Sequence, residues 1–191
     1  MTPVFGLETL RDRLPRVLRR ARVGLLANAA SSLPTGEPAL SVLQGLDLTV
    51  ARLFGPEHGF GSRAAAGEGV ADSVHEGLPV VSLYGERRVP EREHLRDLDA
   101  LVFDVQDVGV RAYTYLSTLK ACLARCAEVG VPLVLLDRPN PLGRTAYGAG
   151  VAGGFASFVS SHNVRFVHGM TLGELGVSVA RALGVEEVLE V

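Results

Sequence analysis

Glu57 and His58 stand side by side in the run Phe54-Gly55-Pro56-Glu57-His58-Gly59-Phe60. A carboxyl and an imidazole on a turn shaped by Gly and Pro suit general acid/base work. The plainer alternative is a surface turn with solvated charges. Asp104 and Asp107 lie in Phe103-Asp104-Val105-Gln106-Asp107-Val108-Gly109-Val110-Arg111. Asp104 sits inside an apolar run, so burial would require a partner for it. These carboxylates with a distant His define no coordination geometry, so no metal is expected. Their alternative role is to cap the helix that follows. Arg111 can clamp a carboxylate through two hydrogen bonds. Tyr113 can stack on a sugar face while its hydroxyl bonds a neighbour. The competing reading is a packed helix start with an Asp107–Arg111 ion pair. In Asp137-Arg138-Pro139-Asn140-Pro141 two prolines fix φ and restrict the residues before them. That stiffness serves either to present Asp137, Arg138 and Asn140 to a ligand or to lock a sheet edge. His168, in His168-Gly169-Met170-Thr171, could face a ligand, although a lone His is more often structural.

Groups scattered over so many loops need a scaffold that gathers them. Short apolar runs supply it: 23–27, 48–54, 79–84, 101–105 and 133–136 read as buried strands bounded by Gly, Pro or Asp. Between them the spacing turns helical. Leu7, Leu10, Leu14, Val17 and Leu18 predict a first helix that Pro15 kinks or delays. Leu40, Val42, Leu43 and Leu46 predict a short second one. Tyr115, Leu119, Cys122, Leu123 and Cys126 predict a long third one closed by Gly130. Thr171-Leu172-Gly173-Glu174 is a capping box that opens a last helix. Strand and helix alternate from end to end. The expected fold is therefore α/β, a three-layer Rossmann-like domain over 1–191 with a mostly parallel sheet and helices on both faces. Ligands in such sheets bind beyond the C-terminal strand ends, and the polar loops named above all follow strands. Residues 143–156, rich in Gly and Ala, read as a surface loop.

Composition narrows the partners. Hydrophobic residues are 47% and charged residues 21%, the balance of a chain that folds around a core. A net charge of −2 argues against a general nucleic-acid or anionic-membrane binder. The longest apolar run, 131–136, is far short of a membrane span. The start carries no secretory pattern, which points to a cytoplasmic protein. Cys122 and Cys126, four apart on a helix, read as small buried hydrophobes. Neither a phosphate loop nor a Gly-x-Gly-x-x-Gly after the first strand is present, and no cofactor is expected. A Gly-x-Ser-x-Gly nucleophile elbow is absent as well.

In order and spacing these loops, with Ala66-Gly67-Glu68 and Gly77-Leu78-Pro79-Val80-Val81-Ser82-Leu83-Tyr84-Gly85, resemble the NamZ/YbbC family of exo-β-N-acetylmuramidases. The resemblance runs from about Val4 to about Leu175. It implies a Rossmann-like catalytic domain that releases N-acetylmuramic acid from the non-reducing end of peptidoglycan fragments. It also implies Glu57 as acid/base, with His58 beside it. Asp104, Asp107, Arg111, Tyr113, Asp137, Arg138, Asn140 and His168 are then expected to bind the saccharide. Glycoside cleavage usually needs a second carboxylate, and Glu68, Asp104, Asp107 and Asp137 are the candidates. The lactyl carboxylate of muramic acid wants a cation, for which Arg111, Arg138 and Arg63 are the choices. The chain departs from the family pattern at Ser73-Val74-His75-Glu76, and at Val167 where the family places Arg. Family members continue into a second domain, which is expected to be absent here. The alternatives are a non-catalytic muropeptide-binding module, or half of an enzyme completed by a second chain.

Overall fold

The computed structural model describes residues 4–191. Its backbone follows from the apolar runs. β1 (Arg22–Ala27), β2 (Thr49–Gly55), β4 (Leu78–Ser82), β5 (Ala100–Asp104) and β6 (Leu133–Leu135) coincide with the five predicted strands. They pair parallel to one another in the order β4-β2-β1-β5-β6, and two more strands, β3 (Ser73–His75) beside β4 and β7 (Leu189–Glu190) beside β6, complete the sheet. Two short strands escape the apolar pattern. β3 (Ser73–His75) is exposed along its length and pairs antiparallel to β4. Glu76 and Gly77, both at positive φ, form the two-residue turn between them, the geometry that matches strand twist. β7 (Leu189–Glu190) adds a parallel edge beside β6.

The parallel strands run outward from β1 in both directions, through β2 and β4 on one side and β5, β6 and β7 on the other. This is the doubly wound arrangement, and its direction reverses between β1 and β5. Side chains alternate along each strand and feed separate cores. Leu26, Phe54, Phe103 and Leu135 face α3 (Tyr115–Val129) and α4 (Leu172–Leu183). Leu25, Leu53, Val102 and Leu136 face α1 (Gly6–Asp12) and α2 (Ala39–Gln44). The helices thus cover both faces, as the sequence implies.

Helix ends are equally local in origin. The Thr171 hydroxyl accepts from the Glu174 amide, while the Glu174 carboxylate accepts from the Thr171 amide, completing the predicted box. Gly130 closes α3 in the left-handed conformation. The first helix differs from expectation. α1 stops at Asp12, and after Pro15 only a 3₁₀ turn, Arg16–Leu18, follows. Proline lacks the amide that would have carried the helix on. Cys122 and Cys126 are buried and unpaired in α3, and burial pushes the Cys126 thiol up to about 12. Among the described residues no helix is long and apolar enough to cross a membrane.

Gly24 of β1 leaves room for Phe54. A Cβ there would stand 2.7 Å from the Phe54 ring and 2.9 Å from a Leu98 methyl. Gly24→Val is expected to cost about 1–3 kcal/mol through overpacking. Urea unfolding should show a lower midpoint with an unchanged m value.

Candidate active site

The end of β5 meets the loop after β6 in a buried ion pair. Arg138 Nε and Nη2 donate to Asp104 Oδ1 and Oδ2 at 2.5 and 2.8 Å. Arg138 Nη1 also donates to the Ser32 carbonyl at 3.1 Å, and its guanidinium lies over the Phe5 ring. The Ser31 hydroxyl donates to the Asp104 carbonyl. Asn28 caps the same turn and donates through Nδ2 to the Tyr115 hydroxyl at 3.0 Å. This network fills the point where the strand order reverses, where a dinucleotide would otherwise lie. Burial pushes the Asp104 carboxyl up, and Arg138 pulls it back only in part. Asp104 and Arg138 are both buried, and each spends its charge on the other.

Three further sequence candidates brace the same edge. Asp137 accepts from the Thr171 hydroxyl at 2.7 Å and from the Gly173 amide at 2.7 Å, which ties the loop after β6 to the start of α4. Asn140 donates to the Met170 carbonyl and accepts from the Leu142 amide. Asp107 accepts from the Gly109 amide and pairs with His168 Nε2 at 3.2 Å. His168 Nδ1 accepts from the Met170 amide, so Nε2 carries the proton given to Asp107. Both members of that pair are buried. The anticipated Asp107–Arg111 contact is replaced by this one. Arg111 instead donates to the carbonyls of Ala149 and Val164, each at 2.8 Å, and straps the exposed loop to the start of α3. Tyr113 is partly exposed and meets Tyr115 edge to face.

Glu57 and His58 behave differently. They occupy the turn after β2, closed by the Gly59 amide on the Pro56 carbonyl at 2.8 Å. His58 has φ 71°, a left-handed conformation that is uncommon for a residue with a Cβ. Its Nδ1 donates to the Ala64 carbonyl at 2.9 Å, which leaves Nε2 as the outward nitrogen. The Glu57 carboxylate is held from two sides. The Thr114 hydroxyl donates to Oε2 at 2.5 Å, and the Gly67 amide donates to Oε1 at 3.0 Å. The Tyr84 hydroxyl lies near and also favours the charged form. Partial burial pushes the carboxyl up. The donors and the nearby His58 outweigh it, and the net direction is down. Burial and the Glu57 charge hold Tyr84 above the ordinary phenol range, so it stays a donor. A groove of about 500 Å³ passes His58, Arg63, Glu68 and His75 next to this turn.

Thr114 and Tyr84 are the residues whose contact with Glu57 the sequence does not reveal. Each appears there only as part of a helix start or a strand end. Of the four carboxylates that could assist Glu57, Asp104, Asp107 and Asp137 are engaged as described. Glu68 stands exposed, next in the chain to the Gly67 that holds Glu57, and its Oε2 accepts from the Ala65 amide. Among the described residues no group of His, Cys, Asp and Glu is placed to hold a metal ion.

An α/β scaffold with a pre-organised carboxylate at its C-terminal strand ends is the kind of site that hydrolases build. Comparison with known proteins makes the class specific. Residues 23–191 match the family described as "Exo-beta-N-acetylmuramidase NamZ, N-terminal", and the chain belongs to that family. It is 37% identical over 190 residues to the peptidoglycan β-N-acetylmuramidase NamZ of Bacillus subtilis (strain 168), covering 97% of this chain and 46% of that protein. Crystal structures of two DUF1343 family proteins from Bacteroides fragilis share the fold. One has TM-score 0.81 and 35% identity, over 98% of this chain and 47% of its own. The other has TM-score 0.80 and 30% identity, over 95% and 48%. The chain thus spans about half the length of the relatives it matches.

Two outcomes follow from the geometry. Arg138→Met leaves Asp104 buried without its partner and should cost about 3–5 kcal/mol, with most of it recovered when Asp104→Leu is added. Paired urea titrations of the single and double variants measure this. Thr114→Val removes a donor to the charged form of Glu57, so its pKa should rise toward the ordinary glutamate value. A group with a lowered folded pKa stabilises above its ordinary pKa, and that contribution disappears as pH falls through the folded one. The variant should therefore lose part of the stability that Glu57 contributes near neutral pH. NMR titration of the Glu57 side-chain carboxyl checks the direction.

Proposed function

We propose that this chain is the Rossmann-like, cleft-bearing half of an exo-acting muramidase, and that Glu57 does the acid/base work on a terminal N-acetylmuramic acid residue. The observation that carries this reading is the Glu57 carboxylate. Two donors from separate elements fix it, the Tyr84 hydroxyl lies near, and His58 stands beside it at a strand end. The B. subtilis relative is a peptidoglycan β-N-acetylmuramidase, which supplies the substrate class.

The donors around Glu57 and the nearby His58 favour its ionised form. In that form it is a base or a stabiliser of positive charge at the anomeric carbon. To protonate a leaving oxygen it must take up a proton. A saccharide seated over it removes water and strengthens the upward push that burial already exerts. His58 Nε2 and Glu68 are the groups best placed to handle the second proton or the attacking water. Asp104, Arg138, Asp107, Asp137, Asn140, Arg111 and His168 act by holding the loops in register, and Tyr113 offers an aromatic face at the rim. The reaction so described calls for no cofactor, and the expected ligands are muramic-acid saccharides.

A second reading has its own observation. Tyr147, Phe155 and Phe166 are exposed on the loop that Arg111 straps beside the cleft. A further domain or a second chain packed there would wall the cleft and exclude water. On this reading the chain alone binds saccharide and turns it over only when completed.

The test is release of nitrophenol from a 4-nitrophenyl N-acetylmuramic acid glycoside. The expected result is turnover by the wild-type chain and none by Glu57→Gln, which stays folded at the assay temperature although it gives up the stability contributed by the charged carboxylate. Full activity of Glu57→Gln overturns the role of Glu57. Turnover that appears only after adding the remaining half of a family member supports the second reading.

A further inference from the structure

The proposed substrate carries a carboxylate on its lactyl ether, and two of the three arginines suggested by sequence are already engaged, while the third, Arg63, lies exposed along the groove with no aromatic ring or polar partner to place it among the described residues. Arg138 is closed around Asp104, and Arg111 is committed to two main-chain carbonyls. Arg87, at the neighbouring rim, is held bidentate by Asp72 at 2.6 and 2.8 Å. Arg88 differs from all three. It is exposed, and among the described residues it makes neither a hydrogen bond nor an ion pair. Its guanidinium is nevertheless placed. It lies 4.6 Å from the centroid of the Phe158 ring and 5.5 Å from that of Tyr84. The two rings stand 6.3 Å apart.

Tyr84 is almost fully buried, with its hydroxyl near Glu57, and the backbone that carries Phe158 is tied down. The Phe158 carbonyl accepts from the Ser117 hydroxyl of α3, which also bonds Ser161, and Lys120 holds the Ser161 carbonyl at 2.8 Å. A cation stacked on fixed aromatic faces keeps its in-plane N–H groups open for a planar anion. Glu57 is not its counter-ion, although Tyr84 lies near both.

We propose that Arg88 is the specificity-determining residue for the substrate's carboxylate: stacked on Tyr84 and Phe158, it receives the lactyl group while Glu57, at the other end of the Tyr84 ring, addresses the glycosidic bond. This rests on the muramidase reading and adds the subsite that tells N-acetylmuramic acid from N-acetylglucosamine, which lacks the lactyl ether.

The experiment is NMR titration of the 191-residue chain with each of these two monosaccharides, for wild type, Arg88→Met, Arg88→Lys and Arg63→Met. Wild type is expected to bind N-acetylmuramic acid at least about tenfold more tightly, roughly 1.4 kcal/mol. Arg88→Met should bind the two sugars equally, with its affinity for N-acetylglucosamine unchanged. Arg88→Lys should keep part of the preference, and Arg63→Met all of it. If wild type discriminates and Arg88→Met discriminates equally, the role of Arg88 is overturned while the muramidase reading stands. If wild type binds both sugars alike, no carboxylate subsite exists and the proposal fails. If it binds neither, the saccharide reading of this chain fails, and the proposal with it.

Discussion

The Asp104–Arg138 pair is the constraint on which the cleft depends. It couples the end of β5 to the loop after β6. Through Ser31 and Ser32 it also fixes the turn after β1. Three neighbouring strand ends are thereby locked at the place where an open sheet is otherwise free to splay. A buried pair of charges is seldom a net source of stability against apolar side chains of the same size. What it supplies here is registry. An apolar cluster would tolerate several rotamers, whereas a bidentate fork accepts one geometry. The cost of burying the charges is compensated by a floor that does not shift under the loops above it.

The chemistry above that floor is assembled from distant parts of the chain. Glu57 comes from the turn after β2, its donors from the start of α3 and from the segment around Gly67, and the nearby Tyr84 hydroxyl from beyond the end of β4. No single loop could hold the carboxylate in this way, because each donor arrives from a different direction. The same arrangement sets its charge state. Donors that favour the anion compete with burial that disfavours it, and the balance is open to change when a ligand removes the remaining water. The left-handed backbone of His58 belongs to the same device, since it turns the imidazole back onto Ala64 and leaves one ring nitrogen facing outward.

Most of the fold is legible in the sequence because burial on both faces writes itself as continuous apolar runs, and all five of those runs are strands. β3 and β7 are not legible, since one is wholly exposed and the other is a two-residue edge, so neither carries an apolar signature. The site is legible in outline only. The Glu57-His58 turn announces itself through its Gly and Pro neighbours. Asp104, Arg138, Asp137 and His168 look like ligand groups, because a residue that anchors a loop and one that greets a substrate have the same chemical type and stand on the same strand ends. Partners decide between those roles, and partners such as Thr114, 57 residues from Glu57, are set by the fold and not by local spacing.

The sheet also acts as a partition. Its two faces feed separate sets of side chains, one under α1 and α2 and the other under α3 and α4. The groups around Glu57 draw on the second set, through Thr114 at the head of α3 and Tyr84 beside Leu83. The first set touches the groove only at its margin, through Val80 and the Phe60 that packs on it. Changes deeper in the α1 and α2 layer, which share no partner with the groups around Glu57, should combine with changes there additively. The protein can therefore drift, or be engineered, toward higher heat tolerance on one side of its sheet while selection on turnover acts on the other.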